Sequence, residues 1–275
     1  MKYLVYVPGY NSNSGGVTVL HKLAEVLANI NEETYISSIV TLPNSKAKSI
    51  TLEQSYILAS HDDCVVIYSE TIWNNLLNAK NVVRWLLYIP GFSNGPYEYD
   101  TFEHVFLYHK DYGIGTKYAD CPILNIFEPK TDIFYDKQLE RNGDCFIMRK
   151  GSKKNTNKLD GFYIDDLING DNTDDILMDI FNNHERFISY DIHTYYSIIA
   201  AMCGCTSIVI KDNDLSSDDY YKNEFVRYGI SYGFEDEEHS KHSKILVKDH
   251  MNYLYSKSMQ TIYSFHQYCL DNFSK

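Results

Sequence analysis

The sequence predicts an α/β protein made of two doubly wound domains, each built on a parallel sheet. Its 275 residues suit two cores of modest size. Short apolar runs alternate with amphipathic runs in both halves, which is typical of βαβ units. A polar stretch, "EPKTDIFYDKQLERNGD" (128–144), separates the halves. We therefore place the boundary near residue 140, with domains at 1–140 and 141–275.

The individual elements follow from the spacing of apolar residues. In the first half we predict strands at 3–8, 34–40, 64–69, 82–89, 104–109 and 122–127, and helices at 17–30 and 52–59. In the second half we predict strands at 145–149, 186–190, 206–210 and 229–233, and helices at 172–183, 193–203 and 218–227. Aromatic and apolar residues at helical spacing over 246–273 predict a long C-terminal helix that crosses between the domains.

Composition and charge narrow the class of protein. Hydrophobic residues make up 44% and aromatic residues 15% of the chain, which argues against disorder. The net charge of −12 disfavours general nucleic-acid binding, which needs a surplus of Lys and Arg. The six cysteines lie mostly beside strand-like runs, and "MKYLVYVPGY" is typical of a strand and not of an export segment. We expect free thiols, no membrane-spanning helix and a cytoplasmic protein.

Ligands of open parallel sheets bind where strands end, so the loops after strands hold the candidate residues. In "PGYNSNSGGVT", Gly15 and Gly16 leave backbone N–H groups accessible to an anion or a sugar hydroxyl; the alternative is an ordinary turn. The loop matches neither G-x-G-x-x-G nor a Walker loop. In "IYSETIWNN", Glu70 is the candidate general base or sugar-hydroxyl acceptor, or else a charge that favours a helix N-terminus.

Two further loops lie in the second half. In "CFIMRKGSKKN", Arg149 and Lys150 could clamp a diphosphate, and the alternative is a solvated basic loop. In "SYDIHTYYSIIAAMCGCTSIVI" (189–210), Asp191, His193 and Thr194 stand at the entrance of a helix of small residues. Asp191 or Thr194 could be the N-cap. Alternatively, Asp191 accepts a ribose or hexose hydroxyl while the helix start faces phosphate.

These stretches together resemble the GT-B glycosyltransferases. The resemblance rests on "PGYNSNSGGVTVLHKLAEVL", on "FIMRKG", and on the 187–210 segment followed by "YGISYG". It implies two Rossmann-like domains facing a cleft, with the second half binding a nucleotide-sugar and the first half an acceptor. In the donor motif, Asp191 and Gly204 match the first acidic position and the final glycine, whereas Thr194 and Ile199 replace a glycine and a glutamate. The motif leaves retention or inversion unassigned.

The resemblance implies transfer of a hexose to a glycan or lipid-linked acceptor in polysaccharide or glycoconjugate synthesis. Arg149, Lys150, Asp191, His193, Thr194, Gly15 and Gly16 are the candidate donor-binding residues, and Glu70 is the candidate catalytic base. We expect no metal, because the fold uses cations and helix dipoles in its place. A peripheral contact with a membrane stays open. The alternatives are a catalytically silent nucleotide-sugar binder and a sugar-nucleotide epimerase of the same fold.

Overall fold

The computed structural model describes residues 1–11, 14–93, 95–149, 159–168, 173–192, 194–212 and 215–273. Within these residues the chain is an α/β protein with two parallel sheets. It divides into two compact units, one formed by Met1–Phe127 with Tyr255–Lys275 and the other by Glu128–Leu254. The predicted fold class of two parallel-sheet domains is confirmed at this level. Lys150 and His193 lie outside the described residues.

The first unit contains a six-stranded sheet in the order β3-β2-β1-β4-β5-β6 within the described residues. All of its strand pairs are parallel, and this order is that of a doubly wound Rossmann-type sheet. Its elements are β1 (Lys2–Val5), α1 (Gly15–Ile30), β2 (Thr34–Ile36), β3 (Lys48–Ser49), α2 (Leu52–Ala59), β4 (Cys64–Ser69), β5 (Asn81–Leu86) and β6 (His104–Leu107).

The second unit contains a five-stranded parallel sheet in the order β11-β10-β9-β7-β8 within the described residues. This is the other common doubly wound order. The chain adds β8 on one side of β7 and then β9, β10 and β11 on the other side, so the order reverses between β7 and β9. Its elements are β7 (Asp144–Ile147), β8 (Phe162–Tyr163), α3 (Thr173–Asn183), β9 (Arg186–Ser189), α4 (Tyr195–Met202), β10 (Thr206–Val209), α5 (Ser217–Tyr220), β11 (Ile230–Tyr232) and α6 (Glu237–Ser243). A long helix, α7 (Val247–Phe273), begins in this unit and ends in the first.

Both faces of the first sheet are covered, as doubly wound sheets require. On one face, strand residues such as Val65 and Trp85 pack with Leu23 of α1 and Phe265 of α7. On the other face, Leu4 and its neighbours pack with Ala59 of α2. Because β4 lies inside the sheet and is covered on both faces, its sequence "CVVIYS" is a nearly continuous apolar run that is buried throughout. In the described part of the chain, no helix is both long and apolar enough to cross a bilayer.

The sequence does not predict the short strands β3 and β8, and several predicted strands are shorter in the structure. Three further predictions differ from the structure in other ways. The strand predicted at 122–127 is wrong: only one bridge forms, from Leu107 to Ile123. The backbone N–H groups of Asn125 and Phe127 instead donate to hydroxyls of α7 at 2.9 Å each, so no sheet partner is needed. The helix predicted at 218–227 is shortened to Ser217–Tyr220 and followed by a separate 3₁₀ turn, whose start is capped by the Asn223 side chain.

The third difference concerns the boundary between the domains. The two units divide at Phe127, not near residue 140, and Tyr255–Lys275 belongs to the first unit. Residues after Phe127 form hydrogen bonds with helices of the second unit. Tyr195 Oη donates to the carbonyl of Pro129 at 2.6 Å, and the Lys137 N–H donates to Asn182 Oδ1 at 2.7 Å. A polar stretch therefore does not mark the division, because its backbone is bound to the second sheet's helices.

Candidate functional site

The carboxyl edge of the six-stranded sheet, which we call the first-sheet edge, carries Glu70. This residue follows β4 directly, and its Oε2 accepts a hydrogen bond of 3.0 Å from the backbone N–H of Leu87, the residue after β5. Glu70 is 7% exposed. Burial raises the pKa of its carboxyl group, because the loss of water outweighs the backbone hydrogen bonds and the nearby Arg84 charge that favour ionisation.

The loop after β4 is held by Arg84, which lies within β5. Two of its N–H groups donate to the Glu103 carboxylate at 2.7 and 2.9 Å. Three more N–H···O bonds, of 3.1, 2.7 and 3.1 Å, reach the carbonyls of Ser69, Ile72 and Asn74. A guanidinium has five N–H donors, so its whole capacity is used. Residues 70–80 form turns and no helix, so the alternative of Glu70 as a helix-start charge is wrong.

The backbone of Glu70 is fixed from a second side. Tyr99 Oη donates to the Glu70 carbonyl at 3.2 Å. A Cβ atom placed on Gly95 would lie 2.5 Å from the same carbonyl oxygen and 2.9 Å from Thr71 Cα. Only glycine allows the loop after β5 to approach this closely. The Glu70 carboxylate is therefore carried by a backbone with little freedom to move.

Gly15 and Gly16 lie at the start of α1 on the same edge. A Cβ on Gly16 would lie 3.7 Å from Leu87 Cδ1, and a Cβ on Gly15 would meet no atom within 4 Å. The N-cap, Ser14, makes no side-chain capping bond, and the first turn of α1 contains no acidic residue. Gly16 and Glu70 thus both lie beside Leu87. The open surface at Gly15 leaves room for a ligand to approach the first helical turn.

The carboxyl edge of the five-stranded sheet, which we call the second-sheet edge, carries Arg149 just after β7. The Asp165 carboxylate accepts hydrogen bonds from the backbone N–H groups of Met148, at 3.0 Å, and Arg149, at 2.8 Å. Arg149 has a φ of +37°, in the left-handed region that is unfavourable for a non-glycine residue. Asp165 thus helps to hold Arg149 in a strained conformation, which is common at functional sites.

The guanidinium of Arg149 lies over the first turn of α4. Its Nη1 donates to Tyr196 Oη at 3.1 Å, and its centre is 5.4 Å from the centroid of the Tyr196 ring. Among the described residues, no carboxylate forms an ion pair with Arg149. Its positive charge is therefore held at a helix start by a neutral ring and hydroxyl.

Thr194 is the N-cap of α4. Its Oγ1 accepts a hydrogen bond of 3.3 Å from the backbone N–H of Tyr196. Asp191 is not the cap; it is 7% exposed, and its backbone N–H and carbonyl both bond the Ser189 hydroxyl, at 3.1 and 2.8 Å. The structure thus brings Arg149 and Thr194 together through Tyr196 and places Asp191 at the same edge.

Several residues that shape these two edges were not found from the sequence. A lone arginine inside the apolar run "VVRWLL" was the available signal for Arg84. Asp165 and Tyr196 gave no such signal, because each acts on Arg149 from a distant part of the chain. Gly204, the final glycine of the donor-like motif, follows the C-cap of α4 and has a φ of +94°. Glycine commonly adopts this left-handed conformation just after a helix.

The two edges offer different chemistry. At the second-sheet edge, a cation and the start of a helix suit an anion such as phosphate. At the first-sheet edge, a buried carboxylate whose pKa is raised by burial is a stronger base than an exposed carboxylate and suits proton abstraction. Among the described residues, no three His, Cys, Asp or Glu side chains come close enough together to hold a metal ion.

No protein-family model matches this sequence, and no curated protein is significantly similar to it.

Proposed function

We propose that the protein is a glycosyltransferase of the GT-B type, which moves a hexose from a nucleotide-sugar to a glycan or lipid-linked acceptor. The observation that carries the proposal is the position of Arg149. It lies where the direction of the second sheet's strand order changes, over the start of α4, with no ion-pair partner among the described residues. Ligands of doubly wound sheets bind at such switch points. The resemblance of the 187–210 segment to a donor-binding motif supports the same assignment.

In the proposed reaction, the second-sheet edge stabilises the leaving group. The bond between the sugar's anomeric carbon and the diphosphate oxygen breaks, and its electron pair stays on the nucleoside diphosphate. Arg149 and the first turn of α4 offset this charge, with Lys150 and His193 as sequence-based additions. In this proposal Asp191 accepts a hydrogen bond from a hydroxyl of the ribose or of the sugar. These groups act by position and charge and form no covalent bond.

The acceptor belongs to the first unit in this proposal. Its hydroxyl oxygen forms the new bond to the anomeric carbon and loses its proton. Glu70 is the proposed base, because burial moves the pKa of its carboxyl group upward, towards the pH at which a base works best. A base of this kind is required if transfer inverts the anomeric centre. Gly15 and Gly16 supply open backbone beside it.

The test is release of nucleoside diphosphate from nucleotide-sugars, with and without a mixture of glycan and polyprenyl-phosphate-linked acceptors. We expect turnover with one nucleotide class, and we expect it to rise when the correct acceptor is present. Arg149→Ala should lower kcat strongly, whereas Arg227→Ala, which removes an exposed arginine elsewhere in the same unit, should not. Nucleotide-sugar binding without turnover would instead favour a catalytically silent binder. Ile199, at the motif's second acidic position, is buried and gives that alternative its support.

A further inference from the structure

Three aromatic side chains form a connected cluster at the first-sheet edge, which we call the aromatic platform: Tyr88, Phe92 and Tyr112. The rings of Tyr88 and Phe92 meet at 4.7 Å between centroids and 67° between planes, and those of Tyr88 and Tyr112 at 5.1 Å and 52°. Phe92 is 71% exposed and Tyr88 is 38% exposed. Single exposed aromatic rings are common, but a contiguous exposed cluster leaves apolar surface in water, and a ligand that covers it recovers that free energy.

The platform adjoins Glu70. Tyr88 follows Leu87, whose N–H bonds the Glu70 carboxylate. Tyr112 lies in the 3₁₀ turn Lys110–Gly113 after β6. Burial raises the pKa of its hydroxyl, with smaller contributions from Tyr88, Asp111 and Glu70. Glu70 is itself more than nine-tenths buried, and no described side chain donates a hydrogen bond to its carboxylate. A polar acceptor group therefore stands beside exposed ring faces.

This combination fits a sugar ring better than it fits a lipid surface. A pyranose has a face of C–H groups, which pack on the electron-rich face of an aromatic ring, and a rim of hydroxyls, which need polar partners. The platform offers ring faces, the two tyrosine hydroxyls and the Glu70 carboxylate. A membrane surface fits less well, because anionic headgroups would repel a chain of net charge −12. Binding sites of small ligands combine apolar lining with a few polar groups in this way.

We propose that the aromatic platform and Glu70 form a carbohydrate-binding site, in which a pyranose stacks on Phe92 or Tyr88 and directs a hydroxyl to Glu70. Sugar binding by this site does not depend on the transferase proposal. The consequence that the acceptor ends in a pyranose rests on the proposed function. In that case the platform would hold the acceptor hydroxyl beside the base.

The probes are the methyl glycosides of glucose, galactose, mannose and N-acetylglucosamine, each added to the full chain and followed by saturation-transfer NMR. We expect at least one to bind, and we expect Phe92→Ala to weaken its binding about tenfold. Phe92→Trp, which keeps a ring at this position, should preserve binding. The matched control is Phe102→Ala, because Phe102 is 49% exposed and precedes β6 at the opposite edge of the sheet.

Two results would overturn the carbohydrate site: no saturation transfer to any of the four glycosides, or equal binding by the wild type and Phe92→Ala. Sedimentation with anionic vesicles that Phe92→Ala abolishes, without any glycoside binding, would assign the platform to lipid instead. The transferase proposal fails separately. Platform-dependent glycoside binding with no turnover of any nucleotide-sugar would leave the site standing and remove the transferase. Turnover by Phe92→Ala with an unchanged acceptor KM would support the transferase and remove the carbohydrate site.

Discussion

Arg84 and Glu103 form a two-point ion pair inside the first unit, with side chains 0% and 1% exposed. The guanidinium also contacts two tyrosine rings, 5.0 Å from the centroid of Tyr68 and 4.8 Å from that of Tyr99. Burying two charges is costly unless every hydrogen-bonding group is satisfied, and here all five guanidinium donors are used. Two of those bonds end on the loop that carries Glu70, and a third ends on Ser69, the residue before it. The pair thus connects the stability of the sheet to the geometry of the candidate base.

Glu103→Ala should therefore destabilise the protein severely. It would leave the Arg84 charge buried without its partner, which costs about 3–5 kcal/mol in comparable cases. The free energy of unfolding from urea denaturation measures this loss. Glu98→Ala is the control, since Glu98 pairs with Lys117 at the surface, at 2.9 Å, and should change stability far less. Equal losses in the two variants would contradict the role assigned to the buried pair.

The raised pKa of Glu70 predicts how stability depends on pH. The pKa of Glu70 is higher in the folded protein than its ordinary value of 4.5 in the unfolded chain. Protonation of Glu70 therefore stabilises the folded state, and ionisation destabilises it. The contribution is therefore fully present below that value and is lost as pH rises through the higher pKa of the folded protein. Wild type should therefore lose stability relative to Glu70→Gln as pH rises above about 4.5 and through the higher pKa of the folded protein. A difference that stays constant, or that grows in favour of the wild type, would show that the carboxyl group has no raised pKa.

Arg149→Gly should separate stability from ligand binding. Glycine adopts a φ of +37° without the steric cost that an arginine pays, which is about 1 kcal/mol. The variant should unfold at a higher urea concentration than Arg149→Ala, and both should bind nucleotide-sugars poorly. A glycine variant less stable than the alanine variant would mean that the backbone at Arg149 is not strained.

Gly15→Ala and Gly95→Ala should have opposite effects on folding. The Cβ at Gly15 meets open space, and alanine favours a helix, so the first variant should be as stable as the wild type or more so. The Cβ at Gly95 would collide with the Glu70 carbonyl, so the second should lose stability and shift the Glu70 signals in NMR spectra. If Gly95→Ala left both stability and the Glu70 signals unchanged, the close approach would not be what fixes Glu70.

The spacing of apolar residues predicts those helices and strands that are determined by their own sequence. The helix at 52–59 was predicted with its observed bounds, Leu52–Ala59, and it begins with a capping box between Thr51 and Gln54. The apolar run at 64–69 likewise matches β4. The stretch 122–127 failed, because hydroxyls of Ser258 and Thr261 replace the sheet partner from more than a hundred residues away. Periodicity within a window cannot register such bonds.

At the two sheet edges, too, the sequence predicts what the strand pattern determines and not what distant residues contribute. Parallel strands end at one edge, so the sequence could place Arg149 and Thr194 on one sheet and Glu70 and Gly16 on the other. It could not predict that Tyr196 joins the first pair and Leu87 the second. Nor could it predict the pKa of Glu70, which depends on burial by loops that the strand pattern does not describe.

Binding of a nucleotide-sugar at the second-sheet edge should depend on Arg149. The most direct test is a thermal-shift measurement of wild type, Arg149→Ala and Arg227→Ala with UDP-, GDP-, CMP- and dTDP-sugars. A ligand at about a hundred times its Kd stabilises the folded state by about 2.7 kcal/mol, which gives a clear rise in Tm. We predict a rise with one nucleotide class in wild type and Arg227→Ala, and little or none in Arg149→Ala. No rise with any of the four, or an equal rise in Arg149→Ala, would contradict the claim.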